Sequence, residues 1–281
     1  MLLGRRRIRL VCGMALTWPL LACQAPPRTN ENLNAVLWTQ TSVEFRASAH
    51  QAYTAARHAL GEALADATWS ASLEQQQAGG YEGLPPAVVL DVDETVLDNS
   101  PYQAALVRDD AAFTPESWNA WVDQARARPV PGALEFTRQA AEQGVAVVYV
   151  TNREHSLEAA TRRNLQTEGF PLAQEAQYDA LLMKNEQDDW GSDKGSRRRV
   201  VAERFRILLL LGDNLGDFLS DVRGTLQERD QRAGPHAAYW GSRWIVLPNP
   251  QYGSWDAALY GFDYKLSRRE KLRQLYAHLH Y

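Results

Sequence analysis

Cysteine is almost absent from this chain, which contains only Cys12 and Cys23. Once the first 23 residues are set aside, no free thiol and no disulfide remain. The spacing from Cys23 to Arg28 also misses that of cysteine phosphatase loops by one residue. The sequence therefore excludes a disulfide-stapled fold and argues against a cysteine nucleophile.

An excess of charge of one sign is missing as well. The 30 basic residues nearly balance the 34 acidic ones, so the formal net charge is -4 and the pI about 5.9. This balance gives no reason to expect a nucleic-acid partner. Internal repeats, low-complexity tracts, a GK[ST] nucleotide loop and the signature of the histidine phosphatases are also absent from the sequence.

What the sequence does contain is an ordinary globular composition. It has 281 residues, of which 45% are hydrophobic and 23% charged. A chain of this length can bury one large core, or a core domain with a smaller one attached.

The N-terminus reads as a targeting segment. A basic stretch is followed by the apolar run 11–22, which is too short to span a bilayer as a stable helix. The tetrapeptide ending at Cys23 resembles a bacterial lipobox, so we expect a signal peptide over 1–22, lipidation of Cys23 and a tether over 23–32. An ordinary secretory signal is the alternative. Either way export is predicted, and the residue after Cys23, Gln24, favours the outer membrane.

The rest of the chain predicts a parallel α/β sheet. Helical spacing over 33–78 is followed by apolar strands that alternate with helices. The predicted strands are 87–93, 145–152, 178–183, 206–214 and 242–250, and the predicted helices 115–129, 131–144, 156–169, 192–205, 216–231 and 267–281. Continuous apolar strands of this kind favour helices on both faces of the sheet, with ligands bound at the carboxyl ends of the strands.

Polar side chains that could take part in catalysis lie at those strand ends. Carboxylates are poor strand formers and are rarely buried without partners. The residues are Asp91 and Asp93 after the first strand, Thr151 after the second, Lys194 at a helix start, and Asp213 and Asp217 after the fourth. If strands one, two and four are neighbours, these groups converge. Clustered carboxylates repel unless a cation lies among them, and oxygen ligands suit Mg²⁺.

Three motifs carry a resemblance to a known family. The segments DVDETVLDNSPY, VTNR and GDNLGDF, with a lysine-led helix between the last two, resemble the haloacid dehalogenase (HAD) superfamily. More narrowly, they are similar to the bacterial class C non-specific acid phosphatases, the four-aspartate lipoprotein type. The resemblance implies a three-layer HAD-like Rossmannoid fold over 33–281. It also implies a helical cap or accessory region formed by 33–80 and parts of 99–130, and it leaves a homodimer open.

The resemblance implies roles for the four aspartates. Asp91 would be the nucleophile that forms an aspartyl-phosphate, and it would also bind Mg²⁺. Asp93 would be the general acid and base, with its backbone carbonyl on the metal. Asp213 would bind the metal directly and Asp217 through a metal-bound water.

It also implies partners for the phosphoryl group. Thr151 would bind a phosphoryl oxygen with help from Asn152, and Lys194 would pair with the nucleophile and the phosphate. Lys184 is a rival for the lysine because it directly follows the third strand, but Lys194 matches the family spacing better. Arg153 is interpreted as a structural salt bridge.

The implied substrate is a small phosphomonoester. Aromatic residues of the family sandwich the base or ring of the substrate, and Trp118 and Tyr252 are the candidates here. Such stacking would favour nucleotides and aryl phosphates. Three alternatives stay open: a binding-type surface lipoprotein that has lost catalysis, a phosphotransferase, and a dehalogenase, against which Asp93 argues because halide needs no proton.

Overall fold

The computed structural model describes residues 30–173 and 177–281, and within them the parallel sheet is confirmed. The strands are β1 Pro86–Leu90, β2 Leu97–Asp98, β3 Arg128–Pro129, β4 Ala146–Glu154, β5 Leu181–Lys184, β6 Arg206–Gly212 and β7 Trp244–Val246. Five of them form a parallel sheet in the order β5-β4-β1-β6-β7, and β2 and β3 form a separate pair. The predicted signal peptide, Cys23 and most of the predicted tether lie outside the described residues.

Helices connect the strands and cover the sheet. They are α1 Leu33–Thr41, α2 Val43–Ala65, α3 Leu73–Ala78, α4 Ser100–Asp109, α5 Pro115–Val122, α6 Ala133–Glu142, α7 Glu158–Glu168, α8 Gly195–Arg204, α9 Leu226–Ala233, α10 Ser254–Leu259 and α11 Arg268–Ala277. None of the helices in the described part of the chain is long and apolar enough to cross a membrane.

The central strand shows why the sheet is covered on both faces. Successive side chains of a strand point to opposite faces. Val88 and Leu90 belong to one buried apolar cluster, with Tyr53 of α2 and Phe136 of α6. Val89 belongs to a second cluster on the other face. A strand that is apolar at every position is thus buried twice, as the sequence pattern indicates.

The position of β1 brings the predicted strand ends together. Leu90 pairs with Tyr149 of β4 on one side and with Leu211 of β6 on the other. The chain leaves all three strands at the same edge of the sheet, because they are parallel. The expectation that the first, second and fourth predicted strands are neighbours is therefore confirmed.

Helix α2 is fixed to the segment that follows β1. Its Tyr53 is fully buried and donates a 2.6 Å hydrogen bond to the carbonyl of Thr95. The same ring leaves no room at Gly132, which has φ of +90° and where an added Cβ would lie 3.1 Å from the Tyr53 ring. Helix α2 and the turn that starts α6 are thereby held against each other.

A helical insertion stands between β1 and α6. It leaves and re-enters the α/β body through the antiparallel pair of β2 and β3, and it carries α4 and α5. Thr114 caps α5, since its hydroxyl accepts a 3.2 Å hydrogen bond from the Ser117 amide. The predicted helix over 115–129 was too long: α5 ends at Val122 and the chain becomes β3. The assignment of this insertion to a cap stays a prediction.

The helix predicted over 216–231 is also wrong in its first half. The structure has a short 3-10 turn at Leu215–Asp217, an irregular segment, and then α9. The guanidinium of Arg198 donates to the carbonyls of Gly216 and Asp217 at 3.1 and 3.2 Å. These carbonyls are therefore engaged by a side chain from α8 and do not accept amides of a continuing helix.

Candidate active site

The turn after β1 carries the first two aspartates. The Asp91 amide donates to the Leu211 carbonyl at 2.9 Å, so strand pairing continues up to this residue. The chain then folds back, and the Leu97 amide bonds to the Val92 carbonyl at 2.9 Å. This tight turn places Asp91 against residues of α8 and β6, while Asp93 contacts β4.

Lys194 lies among the carboxylates. Its Nζ donates to Asp91 Oδ1 and, at 2.6 Å, to Asp217 Oδ1. The side chain is buried at the start of α8. The rival Lys184 instead pairs with Glu154 at 2.7 Å and keeps 26% of its side chain exposed. Of the two candidates, only Lys194 reaches the acidic cluster.

Three of the aspartates could hold a metal ion. One carboxylate oxygen each from Asp91, Asp213 and Asp217 lies within 4.8 Å of the others. Asn249 Nδ2 donates to Asp213 Oδ2 at 2.8 Å, and the Asn214 amide donates to Asp217 Oδ2 at 2.9 Å. An all-oxygen set with fixed orientations suits a hard divalent cation.

Glycine is required next to this cluster. A Cβ at Gly212, the last residue of β6, would overlap the side chain of Asp217. The strand can thus bring its carboxyl end close to a second acidic side chain only because this position has no side chain of its own. We infer that Gly212 allows Asp213 and Asp217 to share one side of the site.

Burial dominates the electrostatics of the cluster. It raises the pKa of Asp91 to about 7, with Lys194 opposing the shift and Asp217 and Asp93 adding to it. Burial, followed by repulsion from Asp217 and Asp91, also raises the pKa of Asp213 well above its usual value. Burial alone would lower the pKa of Lys194, but the carboxylates of Asp217 and Asp91 more than compensate and raise it. A cation bound here would favour the ionised carboxylates.

Asp93 faces a different partner. Arg153 Nε lies 3.0 Å from Asp93 Oδ1, and a terminal guanidinium nitrogen lies 2.8 Å from the same oxygen. Asn99 Nδ2 also donates to Oδ1, at 2.8 Å. The Asp93 side chain stays 18% exposed while that of Arg153 is buried. The two aspartates of the DVDET turn therefore meet different cations, Asp91 a lysine and Asp93 an arginine.

The predicted phosphoryl-binding residues lie at the end of β4. Thr151 is fully buried, and its Oγ1 accepts a 3.1 Å hydrogen bond from the Arg153 amide. The side chain of Asn152 lies on the opposite face of β4. Its Nδ2 donates to the Ser192 carbonyl at 3.0 Å, and its Oδ1 accepts from Arg197 at 2.7 Å. The Asn152 side chain thus ties β4 to the segment that leads into α8, and its role toward phosphate stays a prediction.

The two predicted stacking residues lie close to the turn after β1, Trp118 next to Arg153 and Tyr252 next to Glu94. The Trp118 ring on α5 is 5.6 Å from the Arg153 guanidinium, which in turn contacts Asp93. The Tyr252 hydroxyl donates to Glu94 Oε2. Burial, and then the neighbouring Asp93 charge, raise the pKa of Glu94 to about 8. Both residues are half-buried.

Comparison with known proteins identifies the family to which this site belongs. The family model for HAD superfamily subfamily IIIB, described as acid phosphatase, matches residues 20–255. The chain belongs to this family.

Solved structures of class C acid phosphatases agree with this assignment. The class C acid phosphatase from Bacillus anthracis is 33% identical, with a TM-score of 0.77, over 89% of this chain and 97% of that one. The same enzyme with tungstate bound gives 33% identity and a TM-score of 0.76 over the same shares. The HAD-like fold expected from the motifs is thus confirmed.

Curated relatives are more distant. The stem 31 kDa glycoprotein of Glycine max is 24% identical over 168 residues, and acid phosphatase 1 of Solanum lycopersicum is 28% identical over 169 residues. Each match covers 58% of this chain, and it spans 58% and 57%, respectively, of the length of those relatives.

Several polar residues of this subfamily IIIB site were not singled out as functional from the sequence. They are Glu94, Asn99, Arg153 and Asn249. One of them carried a usable signal: β4 continues to Glu154, so the period of two in a strand puts Arg153 on the same face as Thr151. The amides Asn99 and Asn249 carry no comparable pattern, because loops bring them to the site.

The raised pKa values predict how stability depends on pH. Asp91 and Glu94 hold protons in the folded state, with pKa values of about 7 and about 8, that the unfolded chain releases near 3.8 and 4.5. Their stabilising contribution is therefore complete below about pH 4 and is lost as the pH rises through the folded-state values. With EDTA present, we therefore expect the Tm to fall as the pH is raised from 5 to 9.

Thermal unfolding of Glu94→Gln isolates one part of this effect. Glutamine keeps the size of Glu94 and does not ionise, so the Tm of the variant relative to the parent should rise between pH 5 and 9. A divalent cation should raise the Tm of the parent protein more at pH 8 than at pH 5, because it binds ionised carboxylates. A Tm difference that stays constant over this range would contradict the assignment of a buried protonated Glu94.

Proposed function

We propose that this protein is a Mg²⁺-dependent acid phosphatase that hydrolyses phosphomonoesters through an aspartyl-phosphate on Asp91. The observation that carries the proposal is the position of Lys194 between Asp91 and Asp217, with Asp213 close to both. A buried carboxylate paired with an ammonium is held in one orientation, as an in-line attack requires. The tungstate complex of the B. anthracis enzyme shows that a related protein takes up an oxyanion.

In the first step, an oxygen of Asp91 attacks phosphorus and the bond to the ester oxygen breaks. Lys194 keeps the Asp91 carboxylate oriented and offers positive charge to the phosphoryl oxygens. Asp91, Asp213 and the backbone carbonyl of Asp93 would hold a Mg²⁺ ion, with Asp217 acting through a metal-bound water, and the bound ion would supply positive charge to the transferring group. The residues present fit such a cation because Asp91, Asp213 and Asp217 supply carboxylate oxygens within 4.8 Å of one another.

The second carboxylic acid handles the protons. Asp93 gives its proton to the leaving alcohol as the P–O bond breaks, and then takes a proton from the water that hydrolyses the aspartyl-phosphate. It is suited to this role because it lies two residues from the nucleophile and remains partly exposed. Asp91 is buried against Lys194, whereas Asp93 pairs with Arg153 and stays partly exposed, so the two carboxylates have distinct environments and distinct roles.

The preferred substrates follow from the aromatic side chains. Trp118 lies next to Arg153, the partner of Asp93, and Tyr252 contacts Glu94, so both rings are near the turn after β1 and would stack on the leaving group. Stacking is worth about 1–3 kcal/mol per base and depends little on which base is present. We therefore propose a broad preference for nucleoside monophosphates and aryl phosphates over small alkyl phosphates.

An activity panel tests the proposal directly. We expect the purified protein to release phosphate from nucleoside 5′-monophosphates and phenyl phosphate at pH 5, with lower rates at pH 7. EDTA should abolish at least about 99% of this activity and added Mg²⁺ should restore it. Phosphate release that is unaffected by EDTA would contradict the metal role. Absence of release from every ester would instead favour a binding-type protein on the same fold, and transfer to added glycerol would favour a phosphotransferase.

We further propose that the protein is exported and anchored to the outer membrane through lipid on Cys23. The support is the basic stretch, the short apolar run and the lipobox-like tetrapeptide at the N-terminus. Metabolic labelling with a radioactive fatty acid should mark the protein and should fail for Cys23→Ser. Equal labelling of both forms would contradict this anchor.

A further inference from the structure

We propose that Arg153, assisted by Asn99, is a positioning residue that determines which oxygen of Asp93 exchanges the proton with the leaving group. The inference rests on the proposed phosphatase function, and it assigns a role to an arginine that the sequence motifs leave as a structural salt bridge. The geometry that supports it is the unequal use of the two oxygens of Asp93.

The two oxygens have different numbers of donors. Oδ1 accepts from Arg153 Nε at 3.0 Å, from an Arg153 terminal nitrogen at 2.8 Å and from Asn99 Nδ2 at 2.8 Å. For Oδ2 the structure describes one contact, to Arg153 Nε at 3.3 Å. Three N–H donors fill the acceptor positions of Oδ1, so Oδ2 is the oxygen that is free to exchange a proton with a ligand.

The arginine itself cannot readily move. It is 2% exposed, and its other terminal nitrogen donates to Thr161 Oγ1 at 3.2 Å. Its guanidinium lies over the Trp118 ring at 5.6 Å. An orientation held by the side chains of β4, α5 and α7 at once is rigid, as proton transfer within hydrogen-bond reach demands.

Asn99 is also held from several directions. Its backbone amide donates to Glu94 Oε1 at 2.9 Å, and its side-chain Oδ1 accepts from Trp121 Nε1 at 2.8 Å. The Oδ1 acceptor of Asn99 is therefore occupied, which turns its Nδ2 toward Asp93. The tryptophan on α5 thus helps to fix the side-chain amide that completes the set of donors on Oδ1.

The chemical consequence concerns the first step of the reaction. The O–H bond at Asp93 Oδ2 breaks and the proton passes to the ester oxygen, while the electron pair of the breaking P–O bond stays on that oxygen. In the second step the same Oδ2 takes a proton from the attacking water. A misplaced Oδ2 slows the hydrolysis of esters of weakly acidic alcohols, because such alcohols need the proton to leave. It slows the hydrolysis of esters of acidic phenols far less, because these phenols leave as anions.

Leaving-group dependence is therefore the readout. We would measure kcat/KM, which covers the step that expels the alcohol, for 2,4-dinitrophenyl phosphate and for a nucleoside 5′-monophosphate. Arg153→Lys keeps the charge but not the two-pronged contact. We expect it to lower kcat/KM by about 100-fold for the nucleotide and by less than about fivefold for the dinitrophenyl ester.

Two further variants complete the experiment. Asn99→Ser should show the same selectivity to a smaller degree, and Asp93→Asn should show it most strongly. The matched control is Arg206→Lys. Arg206 is a buried arginine at the end of β6 that lies away from the site, and it donates to the carbonyls of Ala63 and Trp69. This control should change kcat/KM for both substrates by the same factor. The ratio between two substrates is measured on one sample, so it does not depend on the fraction of protein that is folded.

The outcomes separate the inference from the function on which it rests. If Arg153→Lys and Asn99→Ser reduce kcat/KM for both substrates by the same factor, Arg153 forms only a structural ion pair and the inference is wrong. If the parent protein hydrolyses neither ester, the proposed function itself fails. A selective loss for the nucleotide in both variants, and in Asp93→Asn, would support the positioning role.

Discussion

Asp91→Asn should reduce kcat for every phosphomonoester by at least about 10⁴-fold, because the amide cannot form the phosphoryl-enzyme bond. Asparagine has nearly the same shape as aspartate, so the turn after β1 and its bond to the Leu211 carbonyl should persist. The measurement is single-turnover phosphate release, with trapping of the phosphorylated protein by acid quench. The parent protein should carry acid-stable label and the variant should carry none.

A matched substitution separates chemistry from general damage. Asp109→Asn removes an exposed carboxylate at the end of α4, where it pairs with Arg108 at 2.7 Å. Exposed ion pairs contribute little, and this variant should keep its activity and its Tm. Residual turnover in Asp91→Asn within about tenfold of the parent would mean that another group attacks phosphorus.

Lys194→Met should produce the second large loss, about 10³-fold in kcat, because in the proposed mechanism the ammonium orients Asp91 and would also stabilise the phosphoryl oxygens. The substitution also changes the pH dependence. Lys194 holds the pKa of Asp91 below the value that burial alone would give, so its removal should raise that pKa further. Attack needs the ionised carboxylate, and the acidic limb of the kcat profile should therefore move to higher pH.

Lys184→Met is the control for this experiment. Lys184 pairs with Glu154 at the surface and does not contact the acidic cluster, so its loss should leave the pH profile unchanged. Lys194→Met should also lower the Tm, since it leaves Asp91 and Asp217 adjacent and buried without their shared cation. If Lys184→Met were the inactive variant, the assignment of the catalytic lysine would be wrong.

The fold was largely predictable because its signals are local. An apolar run such as β1, with turn residues on either side, can only be a strand buried on both faces, and capping residues such as Thr114 mark helix starts through contacts three residues away. One of the two wrong helix predictions, the helix expected after β6, occurred where a distant side chain engages the backbone. Arg198 donates to the carbonyls of Gly216 and Asp217, and no local pattern announces such a contact.

The candidate site divides along the same line. Residues that belong to motifs at strand ends, such as Asp91 and Asp213, could be assigned from the order of elements alone. The choice between Lys184 and Lys194 could not be settled in that way, because both follow acceptable patterns. Only the packing of α8 against β4 and β6 shows which ammonium reaches Asp91.

The sequence by itself determined the family, the parallel α/β architecture and the aspartates that gather at the carboxyl edge of the sheet. These properties depend on residue types and spacings along the chain, and strand parallelism then brings the ends together. The tertiary structure alone decided that Asp91 meets Lys194 while Asp93 meets Arg153 and Asn99. The reason is physical: the environment of a carboxylate is set by side chains from several elements, and their approach depends on packing that no single stretch of sequence encodes.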